Sequence, residues 1–433
     1  MSETTLELPL FQDAPKRARP SRSSPTLEAA LADFDEFGTT TRRLVTRSAT
    51  SDGKAIEVDT FVNEFWTAKQ RQASSLHEIS YRACFKPQLP RFFIERLTAP
   101  GDIVYDPFMG RGTTLIEAAL LGRVPAGCDV NPLSLTLTRP RLHPPSLEAV
   151  AKRLGEINLT DHDEFPEDLL VFFHADTLKN ICALKKHLQK RRAAGTFDAV
   201  DDWLALVALN RLTGHSSGFF SVYTLPPNQA VSVVSQRRIN EKRGQVPPQR
   251  DVVKILLKKT RILLSDVTAE VRATLGEVAA SARLLTGASH QTPEIPGDSV
   301  SLVVTSPPFL DIVQYDTDNW LRSWFLGIDV KSVHITMSKK LEAWQETMTG
   351  VLRELHRVLK PGGHIAFEVG EVRNGKVKLE EAVLTCGASA GLEPRLVLIN
   401  DQEFTKTANC WGVDNMSKGT NTNRIVVFRK SGG

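Results

Sequence analysis

Residues 102–129 read DIVYDPFMGRGTTLIEAALLGRVPAGCD, and this stretch decides the fold. A short apolar strand over 102–105 runs into the glycine-rich loop DPFMGRGTT, and the segment LIEAALLGR has helical character. A second strand over 125–129 ends in an acid. Strand, loop, helix and strand form one βαβ unit, so we expect two parallel strands with a right-handed crossover.

The same alternation of strands and helices resumes much further along the chain. It predicts strands over 282–286 and 299–305, a helix over 341–359 and the strand HIAFEVG. The last apolar segments, EPRLVLI and NRIVVFRK, are predicted to pair as a terminal antiparallel hairpin. The fold class is therefore α/β, with a mostly parallel sheet and a long insertion in its connections.

Composition divides the rest of the chain. The first 55 residues include APKRARPSRSSP and carry few large apolar side chains, which predicts a flexible basic arm. From residue 56 to about 98, apolar residues recur at helical spacing, and proline in the first turn opens a helix at PRFFIERL. The predicted regions are the arm 1–55, a cofactor-binding half 56–139, an insertion 140–281 and a catalytic half 282–433.

The glycine loop and its acids predict the ligand. Gly110 and Gly112 let the backbone approach a ligand at the end of the first strand, where the next helix presents its N-terminal amides. Asp106 would pair with a ligand amine and repel a phosphate, while Asp129 is placed to bind two ribose hydroxyls. The site thus suits S-adenosylmethionine better than a pyrophosphate. Taken singly, the glycines could only shape a turn and Asp129 could only cap a helix.

The whole composition sets limits on function. The chain has 433 residues, 41% of them hydrophobic, with a formal net charge of +4. Its five cysteines are scattered without zinc-type spacing, which predicts a reduced, cytoplasmic protein without a metal. The N-terminus shows no secretion signal and no apolar run is long enough to span a membrane, so a membrane protein is not expected.

Two motifs in one chain resemble those of amino-group DNA methyltransferases. DPFMGRGTT resembles their cofactor motif, TSPPF at 305–309 their catalytic motif, and FKPQLP at 85–90 the segment that covers the methionine end of the cofactor. The resemblance implies a Rossmann-like methyltransferase fold that binds S-adenosylmethionine. The implied cofactor residues are Phe85, Lys86, Pro87, Asp106, Pro107, Phe108, Gly110, Gly112, Thr113, Asp129, Asn131 and Thr305. Here the cofactor half precedes the catalytic half, whereas many relatives have the reverse order.

The catalytic motif is suited to methylating an exocyclic amine. Such an amine is a poor nucleophile because its lone pair is delocalised into the base, and two acceptors on its hydrogens favour a tetrahedral nitrogen. Pro307 would supply a carbonyl held by Pro308, and Ser306 the second acceptor. Phe309 would stack on a base flipped out of the duplex. A rigid strand exit is the alternative interpretation of the proline pair.

Serine before the prolines resembles the cytosine-N4 group of this family, which makes the N4 amine of cytosine the leading target. Adenine N6 is the alternative, because the identity of this residue does not separate the groups strictly. An RNA methyltransferase acting on an exocyclic amine and a catalytically silent DNA-binding regulator are further alternatives. Cytosine C5 chemistry is disfavoured, since none of the five cysteines follows a proline.

The insertion is predicted to recognise double-stranded DNA. It combines the aromatic and polar segment GHSSGFFSVYTLPPNQAVS with a basic stretch. The predicted phosphate-binding residues are Arg237, Arg238, Lys242 and Arg243. Exposed positions on a solvated helix are the alternative for each. A cognate restriction endonuclease would be a genetic partner of such an enzyme.

One residue of the family pattern has no clear counterpart. The family often has an acid at the end of the third strand, where it binds the adenine amino group of the cofactor. Here the predicted strand ends LLTGAS, with Ala288 near that position. Ser289, a backbone carbonyl or Asp176 is left as the candidate partner.

Overall fold

Nine strands form one sheet in the computed structural model, which describes residues 26–50, 52–67, 73–81, 84–159, 164–224, 230–308, 319–329, 333, 340–370, 378–401 and 422–432. The strands are β1 Arg42–Ala49, β2 Ala55–Asn63, β3 Ile103–Asp106, β4 Val124–Asp129, β5 Arg283–Thr286, β6 Val300–Thr305, β7 Leu359–Val369, β8 Glu393–Asp401 and β9 Thr422–Arg429. Their order across the sheet is β1-β2-β8-β9-β7-β6-β3-β4-β5.

The helices among these residues cover both faces of the sheet. They are α1 Leu27–Ala32, α2 Gln88–Leu97, α3 Thr113–Leu120, α4 Leu133–Leu142, α5 Leu147–Glu156, α6 Ala175–Ala193, α7 Ala199–Leu209, α8 Val233–Arg243, α9 Val252–Leu263, α10 Ala269–Ala279, α11 Trp320–Leu326, α12 Leu341–Val358 and α13 Leu379–Ser389. Short 3-10 helices occupy Ser75–His77 and Glu167–Val171.

The parallel half of the sheet confirms the predicted α/β class. Strands β3 to β7 pair in parallel, with β3 between β4 and β6. Strand β9 runs antiparallel to both β7 and β8, as the predicted terminal hairpin requires. In the first βαβ unit, a Cβ atom on Gly127 would lie 2.7 Å from Leu115, so glycine lets α3 pack closely on β4.

Side chains alternate between the two faces of the sheet, and each face is buried. Val104 and Leu302 belong to a core shared with α1 and α2. Tyr105 and Val303 belong to the opposite core, under α12 and α13. The central strands are thus covered on both faces, as expected for parallel strands.

Two expectations for the first hundred residues are wrong. The flexible arm predicted over 1–55 does not extend to the described residues 26–50 and 52–55, because β1 pairs antiparallel with β2, and β2 pairs parallel with β8. The segment after residue 55 begins as this strand and not as a helix. Phe61 is 2% exposed and Val62 5% exposed, so sheet pairing and burial outweigh the helix-like spacing. The first 25 residues lie outside the described part.

Between β4 and β5 the chain forms α4 to α10, which share a core with α3. Trp203 on α7 is fully buried there, and its indole N–H donates to Thr260 Oγ1 at 3.1 Å. The helices therefore pack directly onto the cofactor half. Among the residues described, none of the helices has the length and apolar character needed to cross a membrane.

Candidate active site and cofactor cavity

The two sequence motifs meet at the carboxyl edge of the parallel sheet. Strands β3 and β6 are neighbours, with Val104 opposite Leu302. At their ends, Thr305 Oγ1 donates a hydrogen bond of 2.6 Å to Asp106 Oδ1. Because the strands are parallel, the loops that follow them leave the sheet on the same side and close together.

An open cavity of about 1130 Å³ lies where these loops meet. It is lined by Tyr81, Cys84, Phe85, Asp106, Phe108, Met109, Gly110, Arg111, Thr113, Asp129, Val130, Asn131, Ala288, Ser289, His290, Ser306, Pro308, Thr347, Met348 and Val351. Of the predicted cofactor and catalytic residues that are described, those away from the lining are Lys86, Pro87, Pro107, Gly112, Thr305 and Pro307. Phe309 lies outside the described residues.

Asp106 is the buried acid at the bottom of this cavity. It is 1% exposed, and burial raises the pKa of its carboxyl to about 7. The hydrogen bond from Thr305 and one of 3.0 Å from the Phe108 N–H oppose that rise. A cationic ligand group would therefore find a carboxylate that ionises readily on contact.

Asp129 shapes the glycine loop. Its two carboxylate oxygens accept backbone N–H groups at 2.9 Å, one from Gly110 and one from Asn131. Burial raises its pKa as well. The acid therefore holds the loop in place and lines the cavity, and its contact with two ribose hydroxyls stays a prediction.

The two glycines of the loop have different roles. Gly110 has φ +49° and lines the cavity, as a close approach to a ligand requires. Gly112 has φ +74°, but it faces α4, where an added Cβ would lie 2.3 Å from Thr138 Oγ1. Close helix packing is therefore one reason for glycine at position 112, and its contact with the cofactor stays a prediction.

Arg111 attaches the segment before α2 to the loop. Its guanidinium donates to the carbonyl of Ile79 at 3.1 Å and to that of Phe85 at 3.4 Å. These bonds place Phe85, as well as Tyr81 and Cys84, on the cavity wall. Burial and the nearby Arg111 charge lower the pKa of the adjacent Lys86 amine.

The structure distinguishes between the candidates for the residue that binds the adenine amino group of the cofactor. Asp176 is an exposed residue in the first turn of α6 and does not line the cavity, so its proposed place there is wrong. Ser289 lines the cavity, but its hydroxyl donates to the Pro107 carbonyl at 2.5 Å. His290, which the sequence motifs do not indicate, follows Ser289 in the chain and also lines the cavity.

Three residues that the motifs do not indicate surround SPPF. The Trp344 indole N–H donates to the Pro308 carbonyl at 3.0 Å. Glu368, at the end of β7, is 6% exposed; its Oε1 accepts a hydrogen bond of 3.0 Å from Asn423 Nδ2, and its carboxylate also interacts with the Ser306 hydroxyl. Burial raises the pKa of Glu368 in spite of these bonds. Its position at the end of the parallel strand next to β6 is a sequence signal that would have identified it.

The predicted DNA contacts lie on α8, away from this cavity. Arg237, Arg238, Lys242 and Arg243 are exposed, and the Arg243 guanidinium stacks 3.9 Å over the Tyr223 ring. Within the described residues, no group of three His, Cys, Asp or Glu side chains is arranged to hold a metal ion.

Known proteins resemble this chain most clearly around the glycine loop. Residues 38–138 match the model of the DNA methylase family of N6 and N4 enzymes, for which S-adenosylmethionine is the methyl donor. The type II methyltransferase M.BsoBI of Geobacillus stearothermophilus is 24% identical over 307 residues, covering 64% of this chain and 58% of the relative. M.MjaII of Methanocaldococcus jannaschii is 31% identical over 103 residues, 24% of this chain and 19% of that relative.

Among solved structures, TrmN from Thermus thermophilus matches 82% of this chain and 51% of its own, at 14% identity and a TM-score of 0.32. The chain thus spans little more than half of one curated relative and about a fifth of the other. By its sequence the chain is similar to type II DNA methyltransferases, and residues 38–138 match the model of the DNA methylase family of N6 and N4 enzymes.

Proposed function

We propose that this protein is a site-specific DNA methyltransferase that transfers the methyl group of S-adenosylmethionine to the exocyclic N4 of cytosine in duplex DNA. The observation that carries the proposal is the hydrogen bond between Asp106 and Thr305, which joins the cofactor loop to the catalytic SPPF segment across one cavity. A methyl donor and an amine acceptor can thereby share one site, and proximity lowers the barrier without a covalent intermediate.

In this proposal the acids hold the donor. Asp106 pairs with the amine of the methionyl group, and Asp129 accepts the ribose hydroxyls. Phe85 covers the methionine end. These assignments are supported by the position of all three residues on the cavity wall.

In the same proposal, the SPPF segment binds the target amine through hydrogen bonds. Trp344 engages the Pro308 carbonyl, while no described residue donates to the Pro307 carbonyl, which is left as an acceptor for one amino hydrogen. In this scheme the Ser306 hydroxyl donates a hydrogen bond to Glu368, with which it interacts, so an oxygen lone pair is free for the second hydrogen. Together they favour a tetrahedral nitrogen aligned with the sulfonium methyl group. Phe309 stacks on the flipped base in this scheme.

The helical region 140–281 provides target recognition, and α8 contributes Arg237, Arg238, Lys242 and Arg243 to the DNA phosphates. Exposed guanidinium and ammonium groups on one helix support this role. The enzyme works on cytoplasmic or nucleoid DNA, in a restriction-modification or related system. Neutralising the four residues is expected to weaken DNA binding and flatten its dependence on salt, and unchanged salt dependence would place the DNA elsewhere.

Nucleoside mass spectrometry tests the reaction. DNA incubated with the purified protein and S-adenosylmethionine is digested, and N4-methylcytosine is expected as the product. N6-methyladenine instead would keep the mechanism and change the base, in favour of the alternative target. A mixture of duplex DNA and total RNA with tritiated donor tests the RNA alternative, and predominant labelling of RNA would overturn the DNA assignment.

A further inference from the structure

Two cations lie beside the segment that carries Tyr81 to the cavity. The Ser80 N–H donates to Asn210 Oδ1 at 2.7 Å, and Arg211 follows directly in the chain. Arg211 Nε in turn donates to the Asn210 carbonyl at 2.6 Å. One hydrogen bond and two peptide steps, Arg211 to Asn210 and Ser80 to Tyr81, therefore connect Arg211 to the wall of the cavity.

Lys259 on α9 is the second cation. Its side chain is only 8% exposed, and its Nζ lies 3.8 Å from Glu78 Oε2, which is longer than a hydrogen bond. Burial and the neighbouring Arg211 charge lower its pKa to about 8. Lys259 is thus close enough to Arg211 for the two charges to repel each other.

The charge of this pair is under-compensated. Glu78 is the acid that faces Lys259, and its side chain is 50% exposed. Among the described residues, no carboxylate forms an ion pair with Arg211, whose pKa burial lowers to about 10. Lys259 thus faces one half-exposed acid and the half-buried Arg211 faces none among the described residues, an arrangement that costs folding free energy unless an anion completes it.

Stacking fixes the direction of the arginine. The guanidinium carbon of Arg211 lies 4.1 Å over the Phe219 ring, and His215 packs on the same ring at 6.2 Å between centroids. Gly214 allows this, since a Cβ there would meet the Phe219 ring at 2.4 Å. A stacked guanidinium is held in one plane, ready to form two parallel hydrogen bonds with phosphate oxygens.

We propose that Arg211 and Lys259 bind a backbone phosphate of the DNA strand that carries the flipped base. The inference rests on the proposed function. It adds a phosphate contact outside α8, the helix to which that function assigns the other phosphate contacts. The hydrogen bond from Ser80 to Asn210 places this pair next to the segment that reaches the cavity wall at Tyr81. Binding there would hold the sugar-phosphate chain while the base turns inwards.

Fluorescence anisotropy with a labelled DNA duplex tests the pair, in wild type, Arg211→Gln and Lys259→Met. Each variant is expected to raise the Kd for DNA at least about threefold and to reduce the slope of log K against log salt by about one, between roughly 50 and 200 mM salt. Arg211→Lys keeps the charge and is expected to keep the slope. Lys152→Gln on α5 removes an exposed lysine outside the pair and serves as the control for net charge.

The outcomes separate the two proposals. The phosphate site would be overturned if Arg211→Gln and Lys259→Met both kept the wild-type salt slope. It would also be overturned if Lys152→Gln lost as much slope as they do. Neither result would contradict the proposed methylation. A wild-type protein that neither binds nor methylates duplex DNA would overturn the proposed function itself. Thermal melting and the Kd for S-adenosylmethionine are expected to stay near wild type in Arg211→Gln, which shows that its loss of DNA affinity is not unfolding.

Discussion

The indole N–H of Trp344 and the carbonyl of Pro308 lie 3.0 Å apart, so the first turn of α12 fixes the second proline of the catalytic segment. Trp344 is 3% exposed. The bond orients a peptide that the Pro-Pro pair already restricts, and it joins two segments more than thirty positions apart in the chain.

Replacing this tryptophan tests its positioning role. Trp344→Phe keeps most of the buried surface and removes the donor, so we expect kcat to fall about threefold to tenfold, in line with the loss of one buried hydrogen bond. The Kd for S-adenosylmethionine, measured by calorimetry, is expected to stay unchanged. A weakened Kd with unchanged kcat would contradict the role in orienting SPPF.

The second prediction concerns Ser306 and Glu368. Ser306→Ala removes an acceptor for the target amine, and turnover is expected to fall on the order of a hundredfold. Glu368→Gln keeps the shape of the side chain but weakens its hold on the Ser306 hydroxyl, so a drop of about tenfold in kcat is expected. Both are measured by tritiated methyl transfer at saturating donor. Full activity in Ser306→Ala would remove the proposed mechanism.

Cofactor affinity should depend on pH through Asp106. The pKa of the Asp106 carboxyl is about 7. The proposed ligand amine pairs with the ionised carboxylate, so below pH 7 Asp106 must first lose a proton, which weakens binding. The Kd is therefore expected to rise as the pH falls from about 7.5 to about 5.5, by up to about tenfold per pH unit below 7. Above this window the ligand amine itself titrates.

A pair of asparagine variants serves as the matched control for this profile. Asp106→Asn is expected to bind weakly at pH 7.5 and to flatten the profile, with the remaining slope due to Asp129, whose pKa burial also raises. Asp176→Asn changes an exposed acid on α6 and should leave the profile as in wild type. A wild-type profile in Asp106→Asn would show that another group controls the pH dependence.

The fourth prediction separates stability from ligand contact at Gly112. Gly112→Ala places a Cβ 2.3 Å from Thr138 Oγ1 at a positive φ, so we expect a loss of about 2 kcal/mol or more in the free energy of unfolding. Thr138→Ala in the same chain should recover part of this loss because it removes Oγ1 and Cγ2, the two atoms nearest to the added Cβ. Urea denaturation measures both. Gly155→Ala on α5, where a Cβ meets nothing within 4 Å, is the control.

Local patterns were sufficient to predict the central architecture. The run DIVYDPFMGRGTT specifies a strand, a turn and a helix start within a few residues, and TSPPF follows an obviously buried strand. Parallel strands bring such loops to one edge, so the proximity of Asp106 to Thr305 followed from topology. The residues that specify these strands, turns and helix starts lie within a few positions of one another, so the sequence alone is enough to predict them.

Long-range partners could not be predicted in the same way. Strand β1 contains few large apolar residues, and it is ordered through backbone pairing with β2, which composition does not reveal. Trp344 reaches Pro308 only after the chain has folded, and Gly112 meets Thr138 through packing between α3 and α4. Each of these depends on a neighbour distant in sequence.

The strand at the sheet border has a practical consequence for shortened versions of the protein. Deleting residues 1–55 as a dispensable tail would remove β1 and expose the backbone N–H and C=O groups of β2 that now pair with it. Unpaired groups of this kind can pair with strands of other molecules. The exposed guanidinium groups of Arg42, Arg43 and Arg47 now line that border. Charged side chains at a sheet edge disfavour edge-to-edge pairing, so a shortened chain that keeps these arginines and α1 should begin before residue 26.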